Sequence, residues 1–211
     1  VGQSNVSELK VDAILSSKPK ISGPEGFDRS FMLSANTTTD LERAFASIRL
    51  GDLPERTPVM IAFPSSLESG WAPEGGANIW LSTFVPWTPR SGAWNEAEME
   101  RAADNMWQTA ERALGCSLDA TERRLTGPAD WVARHGNPHA NPNHVEMSLD
   151  QLLAFRPSPK LSGYRTPIEN LFLTGAGTHP GGGITGVPGR NAAAVALEQL
   201  GLAPRKPFTE R

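Results

Sequence analysis

Residues 170–189 read NLFLTGAGTHPGGGITGVPG. The apolar run at 170–174 predicts a buried strand, and Pro188 suits the first turn of a helix. Six glycines occur from Gly175 to Gly186, and glycine permits positive φ and lets a ligand approach the backbone. Because free N–H groups at a helix start favour anions and carbonyl oxygens, the stretch predicts a strand, a glycine loop and a helix that hold a cofactor.

A structural turn that packs a helix onto a sheet is the alternative interpretation of this loop. Such a turn needs one or two glycines, whereas this loop interleaves six with Thr178 and His179. A nucleotide-hydrolase phosphate loop is excluded because no Gly-Lys-Ser/Thr sequence follows. The segment 181–186 matches the dinucleotide fingerprint G-x-G-x-x-G in spacing only, since no second strand with a ribose-binding carboxylate follows before Arg211.

The composition of the chain excludes several classes of protein. Its 211 residues carry a formal net charge of −3, which argues against nucleic acid as the main partner. Cys116 is the one cysteine, so a disulfide framework and a multi-thiolate metal site within the chain are excluded. No apolar run reaches the roughly 18 residues of a membrane-spanning helix. Residue 1 is Val, so we expect the natural start of the protein to lie upstream.

Hydrophobic periodicity predicts an α/β (α+β) fold, with a mixed or antiparallel sheet in residues 1–145 and helices packed against it. Strands are predicted at 6–15, 31–35, 59–63 and 78–85. The last of these carries bulky side chains on both faces, which indicates a central strand or one that lines a cavity. The segment 118–125 is ambiguous between strand and helix.

Capping residues at the ends of apolar patterns predict the helices of the chain. One helix is expected at about 39–50, with Thr39 as its cap, and another at 95–114, with Asn95 as cap. A short helix is expected to begin at Ser148. The Pro-, Gly- and His-rich segment 127–143 is predicted to be a long polar loop.

The histidines give no metal-binding pattern. Asn and Pro residues between His135, His139 and His144 argue against a helical face of paired ligands, and His179 lies 35 residues further on. No carboxylate pattern completes a ligand set. We therefore predict no metal site.

The segment YRTPIENLFLTGAGTHPGGG at 164–183, followed by GRNAA at 189–193, resembles the C-terminal signature of phytoene-dehydrogenase-like FAD-dependent oxidoreductases. The resemblance extends upstream to Arg156-Pro157, to MSLDQL at 147–152 and to His144. In residues 1–140 it concerns mainly the layout of elements.

The resemblance implies two domains. Residues 1–145 would be part of a substrate-binding domain, and 146–211 would be the C-terminal return segment of an FAD-binding fold, ending in strand, glycine loop and helix. The N-terminal ADP-binding Rossmann part of such proteins is absent from this chain. By position, FAD would contact Gly175, Ala176, Gly183, Ile184, Thr185, Gly186 and Val187. His144 and His179 would lie near the flavin or the substrate, although a hydrogen bond that braces the loop is the alternative for His179.

The resemblance also implies a function. The chain would be part of an FAD-dependent dehydrogenase or desaturase that acts on a small apolar organic substrate, and no catalytic residue is assigned. By itself it is expected to be inactive and to bind FAD weakly or not at all. The alternative is a non-catalytic binding or scaffold module. Expected partners are the missing N-terminal FAD-domain portion, in cis or on another chain; peripheral membrane contact and a homo-oligomer stay open. The expected location is cytoplasmic.

Overall fold

Two units make up residues 4–202, which the computed structural model describes. The sheet unit consists of residues 5–142, and the loop unit consists of Ser4 and residues 143–202. The assignment of 1–145 to substrate binding and of 146–211 to an FAD-binding fold concerns function and stays a prediction.

An antiparallel sheet of five strands organises the sheet unit. The strands are β1 (Ser7–Leu15), β2 (Met32–Leu33), β3 (Met60–Ala62), β4 (Ala77–Val85) and β5 (Ala120–Thr126), in the spatial order β2-β3-β4-β1-β5. β1 and β4 pair along their whole lengths, from Ser7 opposite Val85 to Leu15 opposite Ala77. The antiparallel sheet and the central position of β4 are confirmed, and the ambiguous segment 118–125 becomes the edge strand β5.

One face of this sheet packs against a long helix. In residues 5–142 the helices are α1 (Thr38–Arg49), α2 (Glu96–Leu114) and α3 (Pro128–His135). The α2 side chains of Ala103, Met106 and Ala110 are buried in one core with Val11 and Leu81. The apolar face of α2, which recurs every 3.6 residues, packs on the inward-facing, alternate residues of the strands. This packing buries the apolar area that stabilises the unit. Within residues 4–202, no helix combines the length and apolar composition needed to cross a membrane.

The ends of α2 agree with the sequence analysis, whereas the start of α1 differs by two residues. Asn95 accepts a hydrogen bond from the Glu98 N–H at 2.9 Å, and α2 is followed by Gly115 with φ 67°. The cap of α1 is Thr37 rather than Thr39, because the Asp40 N–H donates to Thr37 Oγ1 and the Asp40 carboxylate accepts from the Thr37 N–H. The sequence contains two overlapping capping patterns here, and the earlier one forms.

The prediction of a loop throughout 127–143 is wrong. This segment contains α3 and a short 3₁₀ helix, Pro138–Ala140. Pro128 occupies the first turn of α3, the Asp130 carboxylate accepts from the Gly127 N–H at 2.8 Å, and Gly136 ends the helix with φ 65°. Proline at the start and glycine after the end are ordinary helix signals, but the polar composition of the segment obscured them.

The loop unit contains α4 (Val187–Gln199) and several short turns. The helix predicted near Pro188 is confirmed, and the short helix expected from Ser148 is present as two 3₁₀ helices, Leu149–Gln151 and Leu153–Phe155. The strand predicted at 170–174 is wrong. Among residues 4–202 this segment forms one isolated bridge, between Phe172 and Arg165, and a strand cannot extend without a neighbouring strand to pair its backbone.

Candidate functional site

The glycine loop ends at a helix start that lacks a side-chain cap. Gly186 is the N-cap of α4, with φ 69°, and it has no side chain to accept hydrogen bonds from the first-turn amides. Its carbonyl accepts from the Arg190 N–H at 3.0 Å, and Thr185 Oγ1 accepts weakly from the Val187 N–H at 3.3 Å. The dipole and amides at this helix start therefore favour an acceptor from outside the helix.

Three of the six loop glycines combine a backbone conformation that favours glycine with open space beside them. Gly175, Gly183 and Gly186 have φ values of 94°, 98° and 69°, which side-chain-bearing residues adopt at a cost. A Cβ atom at Gly175 or Gly186 would meet no other heavy atom within 4 Å, and one at Gly183 would lie 3.8 Å from Thr185 Cγ2. These positions are consistent with a surface that another group approaches closely.

The two ends of the glycine loop lie side by side. A Cβ atom on Gly182 would be 3.4 Å from the Ala176 Cβ, and one on Gly189 would be 3.9 Å from Thr174 Oγ1. The first turn is closed by Thr178, whose N–H and hydroxyl both donate to the Gly175 carbonyl, at 3.0 and 2.9 Å. The structure thus brings Gly175 and Ala176 to the same loop as residues 183–187; their contact with FAD stays a prediction.

Ile184 has an unusual conformation for its residue type. It is fully exposed, and its φ of 57° lies in the left-handed region, where β-branched residues are rare. Exposure of a large apolar side chain and a strained backbone at the same residue are both unfavourable. Such residues cluster at ligand-binding segments.

Of the two predicted histidines, His179 is part of the glycine loop and His144 lies beside it. A Cβ atom on Gly177 would be 3.6 Å from the His144 Cβ. The His179 carbonyl accepts from the Tyr164 hydroxyl at 2.8 Å, and that hydroxyl also accepts from Asn191 Nδ2 at 2.9 Å. The bracing bond of His179 is thus made by its backbone, while its ring Nδ1 is buried without a hydrogen-bond partner among residues 4–202.

Arg156 is a residue that the sequence analysis did not single out as functional. Its side chain is completely buried, and its N–H groups make six hydrogen bonds, all to backbone carbonyls. The acceptors belong to Asn143, Val145, Glu146, Gln151 and Ala176. Burial lowers the pKa of the Arg156 guanidinium, and the negative charge of Glu146 partly opposes this. The family resemblance includes Arg156-Pro157, but backbone acceptors leave no pattern of residue types that would reveal the cluster around Arg156.

Among residues 4–202, the other histidines and Cys116 lie in separate surroundings. Within residues 4–202, no three His, Cys, Asp or Glu side chains come together as a metal site would require. His139 stacks on Trp87 with ring centroids 5.4 Å apart, and His135 stacks on Trp131 at 5.7 Å. Burial raises the pKa of the Cys116 thiol, and the charge of Glu111 raises it further, which lowers its reactivity as a nucleophile.

Known proteins with similar sequences are oxidoreductases by name. The chain is 38% identical over 182 residues to the mouse (Mus musculus) pyridine nucleotide-disulfide oxidoreductase domain-containing protein 2, a match that covers 84% of this chain and 31% of the relative. It is 32% identical over 155 residues to a lycopene-forming phytoene desaturase of a Paracoccus species, covering 72% and 30%. The chain is a relative of the phytoene-dehydrogenase-like oxidoreductases.

A third relative of this phytoene-dehydrogenase-like chain is one component of the limonene dehydrogenase of Castellaniella defragrans, 26% identical over 161 residues, with 67% of the chain and 27% of the relative covered. The chain spans 27–31% of the lengths of these three relatives. No family model matches the chain. The family resemblance described for residues 164–193 is confirmed. The activity of a protein of the relatives' full length is proposed below.

Proposed function

We propose that this chain is part of an FAD-dependent oxidoreductase of the dehydrogenase or desaturase type, and that its glycine loop contacts the cofactor. The observation that carries the proposal is the open glycine loop at the uncapped start of α4. The names of the relatives support oxidoreductase chemistry.

The residues of the loop fit a flavin cofactor. The exposed backbone of Gly175 and of 183–186 offers close approach without side chains, apart from Ile184 and Thr185. The amides at the start of α4 would stabilise carbonyl or phosphate oxygens of the cofactor. When bound, the flavin would supply hydride transfer, while these residues orient it and limit access of water. His179 is part of the loop and His144 lies beside it, so both would border the same region.

Aromatic side chains of the sheet unit favour the proposal that the substrate is an apolar organic molecule. On the sheet face opposite to α2, the rings of Phe31 and Trp80 lie 5.4 Å apart. The ring of Phe84, which lies on the same side of β4 as Trp80, is 5.3 Å from that of Phe45. Phe31 is 63% exposed, and both strand aromatics are partly exposed. Two relatives have names that refer to the hydrocarbons phytoene and limonene, and partly exposed aromatic rings bind such groups through apolar contact.

The test compares two glycine variants in the full-length form, meaning a polypeptide of the relatives' length that contains residues 1–211. In Gly186→Val, a side chain at the start of α4 would occupy the open space and strain the backbone. We expect the purified variant to lose its flavin, measured as FAD released per polypeptide, while circular dichroism stays at the wild-type value.

Gly75→Val is the matched control, since Gly75 is also exposed, has φ 77° and faces open space. It carries the same type of strain in the sheet unit and should keep its flavin. Full flavin occupancy in Gly186→Val would contradict the role of the loop. A wild-type full-length protein without flavin would favour the scaffold alternative.

A further inference from the structure

Arg156 is the most completely buried charged side chain among residues 4–202, and it binds two separate segments of the loop unit. One segment is the turn-rich stretch that contains Asn143 and Val145, and the other is the first turn of the glycine loop at Ala176. Burying a guanidinium is costly unless all its donors are satisfied. The five N–H groups of the guanidinium meet that requirement with six hydrogen bonds, all to backbone carbonyls, and these bonds hold the backbone segments in place.

The contact with Ala176 fixes the orientation of one peptide group. Its carbonyl accepts from Arg156 Nε at 2.9 Å and from Nη2 at 2.7 Å. Because a trans peptide is planar, its C=O and N–H point in opposite directions. The carbonyl directed at the guanidinium therefore turns the Gly177 N–H away from it. The adjacent bonds from Thr178 to the Gly175 carbonyl hold the rest of the turn.

We propose that Arg156 is a positioning residue for the glycine loop: its guanidinium holds residues 143–146 and the Ala176 carbonyl in one arrangement, and thereby fixes the loop backbone for the flavin. This inference rests on the proposed function. Arg156 touches no ligand in this role and acts through the backbone of the loop.

An arginine is required for this role by geometry rather than by charge alone. The planar guanidinium directs its donors to acceptors on several sides at once, whereas the lysine ammonium has three donors on one atom. Arg156→Lys keeps a positive charge but cannot contact both segments in the same way. Arg165→Lys is the matched control, because Arg165 is exposed in the same unit and pairs with Glu198 at 2.9 Å.

The experiment uses the full-length form and three measurements. Hydrogen exchange of the amides of 143–147 and 175–178 is followed without FAD, the Kd of FAD is measured on the apoprotein, and the reduction potential of the bound flavin is determined. In Arg156→Lys we expect faster exchange in both segments, at least tenfold weaker FAD binding and a lower potential. The potential falls because misplaced amides stabilise the reduced, more negative flavin less well. Arg165→Lys should match the wild type.

The outcomes separate this inference from the proposed function. Unchanged exchange at 175–178 in Arg156→Lys would overturn the positioning role. A second outcome would also overturn it: weaker FAD binding, an unchanged flavin potential and faster exchange throughout the chain. That combination indicates a general folding defect. If the wild-type protein binds no FAD, the proposed function fails, and the exchange comparison still decides whether Arg156 fixes the loop. Arg156→Met, which removes every donor, should increase the exchange of the same two segments further.

Discussion

Arg156 and Asp28 show two different ways in which this chain holds a charge. Arg156 is buried among backbone carbonyls, whereas Asp28 forms an ion pair with the largely exposed Lys18, with Nζ and Oδ2 2.7 Å apart. The Lys18 ammonium lowers the pKa of Asp28, and a hydrogen bond from Ser66 lowers it further. We expect removal of the first charge to affect the glycine loop and removal of the second to affect the stability of the sheet unit.

The Asp28 pair predicts a pH-dependent contribution to stability. Because its pKa is lowered in the folded chain, this carboxylate stabilises the fold above the unfolded value of about 3.9, and the contribution is lost as the pH falls through the folded pKa. Asp28→Asn should reduce the free energy of unfolding by about 0.2–1 kcal/mol at pH 7 and by progressively less below about pH 4.

Urea unfolding at several pH values measures this difference, with the exposed Asp150 changed to Asn as control. A destabilisation that is as large at pH 3 as at pH 7 would rule out the ion pair as its cause.

At the scale of elements, α2 is the helix on which the core of the sheet unit depends. Trp107 is 9% exposed in this core, and the guanidinium of Arg123 on β5 lies 5.1 Å from its ring centroid. Arg123 is held there by Asp104, with Nη1 and Oδ1 3.0 Å apart. Helix and strand are thus joined both by apolar packing and by a cation over an aromatic ring.

Trp107→Ala should destabilise the sheet unit by about 3–5 kcal/mol, because a large buried side chain is removed and a cavity stays behind. Thermal or denaturant unfolding of the 211-residue chain measures this value. Trp71→Ala, at a residue that is 57% exposed, should change stability by less than about 0.5 kcal/mol. Equal effects of the two substitutions would contradict the packing described for α2.

The elements predicted correctly are those whose pattern is local. The stripe of α2 and the alternation of β1 and β4 follow from spacing along the chain, so sequence alone predicts them. The strand at 170–174 was predicted wrongly because strand formation depends on a partner, which the apolar run does not contain. The glycine loop was found from its composition, whereas Arg156 was missed because its acceptors, such as the Ala176 carbonyl, belong to the backbone and not to particular residue types.

At the scale of the whole molecule, the chain spans about 30% of the length of its relatives. If the proposed function holds, much of the cofactor surface lies on the remaining length, since the adenosine end of FAD has no binding motif in this sequence. The isolated chain and the full-length form should therefore differ in cofactor binding even where their folds agree.

Purified residues 1–211 should be colourless, without the flavin band expected at roughly 450 nm. The adenosine contacts are missing from this chain, and each loss of about 1.4 kcal/mol of binding free energy weakens FAD binding tenfold. The absorbance spectrum and the FAD content of the purified chain measure this, with the full-length form prepared in parallel as the positive control. A yellow preparation with one FAD per chain would contradict this division of the contacts.

The exposed tip at Ile184 has a further consequence for how the chain responds to proteases. An exposed loop tip is a preferred site of proteolytic cleavage, and Ile184 projects fully into solvent just before α4. A cut there would release α4 from the chain without breaking any strand of the sheet. The rate at which the cleaved fragment appears on a gel therefore reports the fraction of time for which a bound group such as FAD shields the loop from the protease.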